Sequence, residues 1–185
     1  MATKKHSPAH RTASRPRTKA RGGPALKTVP NEIAARYRTG QERTVRDALA
    51  PFGSVETYPL QRMVVLHRAP GLATARVQAA LDHLQRVGLV EFVTPVLLDP
   101  DSNARQVLTD EIVLRLKPGH TQRTLAALKA EHGIQIGRRN KFEPSQYIVK
   151  VRRPSGTQTL DVARSLDQSE DVEFASPNFL TEIKR

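Results

Sequence analysis

An internal duplication constrains the fold of this chain more than any other feature of its sequence. Residues 90–95 read Val-Glu-Phe-Val-Thr-Pro, and residues 172–177 read Val-Glu-Phe-Ala-Ser-Pro. Residues 59–66 and 144–151 also match, because each segment enters an apolar run through the pattern Pro-x-Gln. An interval of about 80 residues is too long for most solenoid repeats, so we predict two copies of one small globular domain.

Neither copy is large enough to be very stable on its own. Each spans about 70 residues, a size at which a folded chain buries only a modest share of its surface. The chain has no cysteine, which excludes disulfides, thiolate metal ligands and thiol nucleophiles. Stability is therefore expected from packing, from the neighbouring copy or from an outside partner.

The hydrophobic period within each copy predicts the fold class. In the second copy, Ile112, Leu114 and Leu116 recur at every second residue, as in a half-buried strand. Residues 121–132 then predict a helix that Gly133 ends. The remaining predicted elements are strands at residues 134–141, 147–151 and 172–175 and a helix around residues 160–166. The first copy repeats this order, so we predict an α+β fold of two tandem ferredoxin-like βαββαβ units, each an antiparallel sheet with two helices on one face.

The net charge of +12 is concentrated at the N-terminus. Residues 1–30 hold eight lysines and arginines and no acid, which leaves +4 for the other 155 residues. The composition of these N-terminal residues cannot form a core, and the segment lacks the apolar run of a secretory signal or a membrane span. An organelle transit peptide stays open as an alternative to a solvated tail, and we expect a cytoplasmic protein. The predicted segments are a disordered basic tail at 1–28, a first unit at 29–98, a linker at 99–107 and a second unit with an extended C-terminal tail at 108–185.

The second copy resembles the propeptide, or inhibitor domain, of subtilisin-like serine proteases. The resemblance is carried by residues 108–119, 140–151 and 172–179, and Val-Glu-Phe-Ala-Ser-Pro-Asn at 172–178 is its most specific stretch. The first copy fits more loosely, since Val96 stands where the family pattern has asparagine, and we interpret it as a divergent duplicate.

The resemblance implies that the sheet docks on a protease and that the C-terminal segment lies in the active-site cleft like a substrate. Such propeptides also act as folding chaperones, because they bind the native-like enzyme more than the unfolded chain. The protease-binding tail would comprise Pro177, Asn178, Phe179, Leu180, Thr181, Glu182, Ile183, Lys184 and Arg185. The docking surface would comprise Glu170, Asp171, Glu173 and Phe174, with the three acids meeting helix N-termini of the protease. We favour a solvated strand edge for these three acids, with docking as the alternative, and we interpret Asp110 and Glu111 as solvated strand-start acids.

The chain departs from the family because no protease domain follows the second copy. One explanation is a free-standing inhibitor or chaperone that acts in trans, which we favour because the basic start with Met1 is typical of a natural N-terminus. The other is a piece of a longer precursor that acts in cis. The register of the tail stays open too: if Arg185 were at the cleavage position, Glu182 would fall where many subtilisins prefer an apolar side chain, so the bound segment could instead stop near Leu180.

An enzyme is not expected, and neither a metal nor an organic cofactor is implied. The histidines lack the short spacing of a zinc site, and the serines lack a Gly-x-Ser-x-Gly setting. A nucleic-acid-binding tandem ferredoxin-like protein is the main alternative, although aromatic residues make up only 4% of the chain. Its candidate phosphate contacts are Arg36, Arg38, Arg115, Lys117, Lys150, Arg152 and Arg153, which could instead protect strand edges from aggregation. A non-inhibitory protein-interaction scaffold is a further alternative.

Overall fold

A computed structural model of the protein describes residues 26–120, 122–152 and 154–181. The first unit consists of β1 (Lys27–Tyr37), α1 (Glu42–Leu49), β2 (Gly53–Tyr58), β3 (Met63–Arg68), α2 (Thr74–Arg86) and β4 (Val90–Leu98). The second unit consists of β5 (Arg105–Leu116), α3 (Gln122–His132), β6 (Ile134–Arg139), β7 (Gln146–Val151), α4 (Gln158–Asp167) and β8 (Val172–Thr181). Each unit therefore has the order βαββαβ.

The strand order confirms two tandem ferredoxin-like units within an α+β fold. The first sheet runs β2-β3-β1-β4 and the second runs β6-β7-β5-β8, with every neighbouring pair antiparallel. In each unit the first strand is therefore central and the last strand lies beside it. Residues 96–98 of β4 pair with residues 105–107 of β5 and join the two sheets.

Each sheet carries its two helices on one face. In the first unit, Val45 and Leu49 of α1 lie one turn apart and pack with Leu81 of α2 against the sheet. In the second unit, Leu128 of α3 and Leu166 of α4 pack in the same way against β5 and β7. The helix-facing residues of each strand alternate with residues that face the opposite side, as the sequence periodicity predicts.

A third core lies between the two units. The face of the first sheet opposite its helices is buried and packs against residues from the starting half of β5 and the final half of β8. This shared core comprises Ala34, Met63, Val65, Phe92, Val96 and Val107, with Leu180 packed against it. Arg105 at the start of β5 adds an ion pair 2.8 Å from Glu32 of β1. The second unit thus covers a face that would otherwise expose apolar side chains to water.

The segment boundaries differ from those predicted from composition. The connection is a tight hairpin at residues 99–104, in which the Asp99 amide donates to the Ala104 carbonyl at 3.0 Å, so residues 105–107 of the predicted linker belong to β5. Lys27 and Thr28, predicted to be part of the tail, pair with β4. Residues 1–25 of the predicted basic tail lie outside the described residues.

Candidate functional site

The two sheets differ in what covers the face opposite their helices. In the second unit, Val113, Ile148 and Phe174 point away from the helices, because their strand neighbours lie in the helix-facing core. All three are half-buried, although the equivalent face of the first unit is filled by the shared core. We call this surface of the second unit, centred on these three side chains, the open face.

Charged pairs flank the apolar centre of the open face. Arg115 lies between two carboxylates, with its guanidinium nitrogens 2.7 Å from Glu143 Oε2 and 3.2 Å from Glu173 Oε2. Lys150 Nζ lies 3.5 Å from Glu111 Oε1. The open face is therefore apolar in the middle and ionic around it, the composition of a protein-binding surface with a polar rim.

A hydrogen bond fixes one of these carboxylates in its ionised form. The Ser145 hydroxyl donates to Glu143 Oε1 at 2.6 Å, and this bond, with a smaller contribution from Arg115, lowers the pKa of Glu143 below its ordinary value. Glu143 therefore stays charged beside Arg115 at neutral pH.

The four predicted docking residues occupy the start of β8 and the turn before it. The side chain of Arg115 contacts Glu173, and Phe174 is the residue paired with Arg115 across the strands, so these two belong to the open face. Asp171 lies outside that group, with its Oδ1 3.2 Å from His120 Nδ1. The Glu170 carbonyl accepts a hydrogen bond from Lys117 Nζ.

The described part of the predicted tail is the second half of β8. Pro177, Phe179, Leu180 and Thr181 pair with β5, and the Asn178 carbonyl accepts a hydrogen bond from the Thr109 hydroxyl at 2.8 Å. Leu180 also packs against the shared core. The segment is extended, as expected, and it is part of the sheet. The other predicted tail residues, Glu182, Ile183, Lys184 and Arg185, lie outside the described residues.

The outer edge of β8 is closed to further strand pairing. The Ala175 amide points away from β5 and donates to Asp167 Oδ1 of α4 at 3.0 Å. Pro177, two residues on and facing the same way, has no amide hydrogen to donate. Of the two successive backbone positions that face outward, Ala175 has its amide already bonded and Pro177 has no amide hydrogen. A further strand therefore finds no free amide donor at either position, and natural proteins protect edge strands in comparable ways.

The two units are joined by an ion pair that is not evident from the sequence. Asp110, interpreted as a solvated strand-start acid, is 9% exposed and pairs with Arg36 of β1, which is 6% exposed. The Arg36 guanidinium also lies 5.3 Å from the centre of the Phe92 ring. This burial removes Arg36 from the candidate phosphate contacts. The sequence carries no local signal for this pair, because its two partners meet only when the units pack.

A cleft of about 540 Å³ opens beside this ion pair. Glu91 and Phe92 of β4 line one side, and Lys150 and Arg152 line the other. The wall mixes acids and cations, and Lys150 Nζ lies 3.9 Å from Asp110 Oδ2. The cleft is thus a polar seam between the units, with its charges already partly paired.

Within residues 26–120, 122–152 and 154–181, no three histidine, aspartate or glutamate side chains cluster as a metal site requires. No helix in that same part of the chain is long and apolar enough to cross a membrane.

Comparisons with known proteins return little. The sequence matches no family model and no curated protein. Among solved structures, the acetolactate synthase small subunit from Thermotoga maritima matches with 15% identity over 83% of this chain and 96% of that chain. The TM-score of that match is 0.26, a similarity too low to carry an argument about this protein.

Proposed function

We propose that the protein is a propeptide-like inhibitor or folding chaperone of a subtilisin-like serine protease, and that it docks through the open face of the second unit. The observation that carries the proposal is the contrast between the two sheets: the first has both faces buried, whereas Val113, Ile148 and Phe174 on the open face are only half-buried. The sequence resemblance to protease propeptides falls on the same unit. The proposed role is binding in the cytoplasm, without catalysis and without a cofactor.

The open face suits docking on a folded enzyme. An apolar centre surrounded by ionic pairs favours a partner whose surface is apolar where it meets Phe174 and charged at its margin. Glu173 and Arg115 lie at that margin and fix the orientation of the complex more than its affinity. A protein that binds the native enzyme through such a face also stabilises it against unfolding, which accounts for a chaperone role.

The tail supplies the inhibitory part of the proposal. Strand addition to the edge of an enzyme requires free main-chain donors and acceptors, and β8 offers few of them because its inner edge pairs with β5 and its outer edge is blocked at Ala175 and Pro177. We therefore assign cleft occupation to residues 182–185 and any residues that follow them. The same arrangement serves an inhibitor acting in trans and a propeptide acting in cis.

An inhibition titration tests both parts of the proposal. The hydrolysis of a peptide substrate by a subtilisin-like protease is measured against the intact chain, a chain that ends at Thr181, and the open-face variant Ile148→Lys. We expect truncation to weaken inhibition while binding persists, and Ile148→Lys to weaken binding and inhibition together. Leu60→Lys, at a site 95% exposed in the first unit, is the matched control and should change neither.

Two outcomes would contradict the proposal. Undiminished binding by the folded Ile148→Lys protein would remove the open face from the interaction. Digestion of the intact chain without a phase of inhibition would favour a scaffold role. Circular dichroism of each variant separates either result from unfolding.

A further inference from the structure

The hairpin between β6 and β7 presents one aromatic side chain almost entirely to solvent. Phe142 is 96% exposed, and the turn that carries it is closed by hydrogen bonds. The Phe142 amide donates to Asn140 Oδ1 at 2.9 Å, and the Asn140 amide donates to the Gln146 carbonyl at 2.9 Å. Glu143 closes the turn by accepting the Gln146 amide at its carbonyl, also at 2.9 Å. An aromatic ring that the turn holds in water presents a face on which a planar ligand can stack.

Cations surround this aromatic side chain. A hollow of about 280 Å³ beside Phe142 is lined by Arg138, Arg139 and Lys141, and no carboxylate lines it. Arg139 is fixed in place, because its Nε donates to the Pro144 carbonyl at 2.7 Å and its guanidinium lies 5.8 Å from the centre of the Tyr147 ring. Arg138 and Lys141 are both exposed, so their charges face the solvent, where a ligand can reach them.

The corresponding hairpin of the first unit lacks this combination. Leu60 is 95% exposed there, but it is aliphatic and cannot stack on a planar ring. The neighbouring cation, Arg62, is already paired with Glu91 at 3.0 Å. The aromatic and cationic character is therefore specific to the second hairpin and does not follow from the duplicated fold.

We propose that the β6–β7 hairpin binds single-stranded nucleic acid, with a base stacked on Phe142 and neighbouring phosphates held by Arg138 and Lys141. Base stacking on an exposed aromatic ring within a cationic groove is the general mode of single-strand binding. Arg139 adds a planar guanidinium beside the groove. The hollow borders the open face, because Ile148 lines both, but the inference uses neither the sequence resemblance nor the proposed protease interaction.

The experiment separates stacking from charge. Binding of a labelled oligonucleotide and of an abasic strand of equal length is measured by anisotropy over a range of salt concentrations, always with the intact chain, because residues 1–25 contribute seven further cations. We expect Phe142→Ala to weaken oligonucleotide binding roughly 5- to 100-fold with an unchanged salt slope, and Phe142→Trp to restore it. The abasic strand should show no dependence on Phe142.

Substitution of the cations should change the salt dependence of binding without distinguishing the two strands, the opposite of the result expected for Phe142. Arg138→Ala and Lys141→Ala should each lower the salt slope by up to about one ion and weaken both strands alike. Leu60→Ala is the control for loss of an exposed apolar side chain and should change nothing. Equal binding of the oligonucleotide by Phe142→Ala and the unsubstituted protein would overturn the proposal. So would an acidic peptide that binds with the same dependence on Phe142, since the site would then belong to a protein partner.

Discussion

Arg36 and Asp110 form a buried ion pair that links the central strand of one unit to the central strand of the other. Their positions differ by 74 residues, and both side chains are largely withdrawn from water. A buried charge that loses its partner keeps its desolvation cost without compensation. The stability of each unit therefore depends on the presence of the other.

Removal of one partner should destabilise the whole chain. We expect Asp110→Ala to lower the free energy of unfolding by about 3–5 kcal/mol, because Arg36 stays buried without a counter-ion. Guanidinium denaturation followed by circular dichroism measures the change. Asp47→Ala is the control, since Asp47 pairs with Arg43 on the surface at 3.6 Å and such pairs contribute at most about 1 kcal/mol. Equal effects of the two substitutions would show that the buried pair contributes no more than a surface one.

Alkaline pH should act through Tyr37. Burial, together with the hydrogen bond that its hydroxyl donates to Glu42 at 3.0 Å, raises the pKa of Tyr37 from 10.0 to about 12. A pKa that is higher in the folded than in the unfolded state stabilises the folded protein at pH values below the unfolded-state pKa. The stabilisation from Tyr37 is therefore complete below pH 10 and is lost as the pH rises to about 12. Tyrosinate absorbance should show one late-titrating group that Tyr37→Phe abolishes. Persistence of that late titration in the Phe variant would assign it to another tyrosine.

Gly53 should tolerate no side chain. Its φ is 154°, and an added Cβ would lie 2.0 Å from the His67 carbonyl oxygen. Gly53→Ala should therefore cost about 2–5 kcal/mol, from backbone strain and overpacking together. Gly40→Ala is the matched control, with φ at 80° and no atom within 4 Å of the added Cβ, and should cost only about 1–2 kcal/mol. Thermal unfolding compares the two variants, and similar costs would mean that β3 moves to accommodate the methyl group.

Two truncations should differ in stability although they end three residues apart. A chain that ends at Asn178 loses Leu180 from the shared core and should unfold about 1–3 kcal/mol more easily. A chain that ends at Thr181 keeps Leu180 in the shared core and should be more stable than the shorter chain by that amount. Urea denaturation of both chains tests this prediction, which would be wrong if the shorter chain were equally stable.

Asp167 should keep the protein from associating through β8. Asp167→Ala frees the Ala175 amide at the outer edge, and we expect concentration-dependent oligomers in size-exclusion chromatography. Asp161→Ala, on the same helix, removes only the exposed ion pair between Asp161 and Arg164 at 3.3 Å. This control variant should elute like the unsubstituted protein. A monomeric Asp167→Ala protein would show that Pro177 alone blocks the edge.

The fold could be predicted because its determinants are local. The alternation of Ile112, Leu114 and Leu116 and the helical spacing of Val45 and Leu49 each depend on neighbours within one element. Gly133 ends its helix with φ at 63°, as its position predicts.

Features that depend on the packing of the units could not be predicted in the same way. The burial of Asp110 requires Arg36 from a strand in the other unit. The continuation of β8 past Pro177 requires the shared core that receives Leu180. The open face could not be predicted either. Apolar residues alternate in a similar way along the strands of both units, but only in the first unit is the face opposite the helices covered. Glu173 and Phe174 fall on that face, whereas the predicted tail through Thr181 lies in the sheet.

The residues of the shared core are made at different times during synthesis of the chain. The first unit is fully synthesised at Leu98, when Met63, Val65 and Phe92 still have no cover over their outer side. Val107 arrives soon afterwards, but Leu180 follows only when β8 is made, after the rest of the second unit. Until then, part of the apolar face of the first unit stays in water, a state that invites binding by general chaperones.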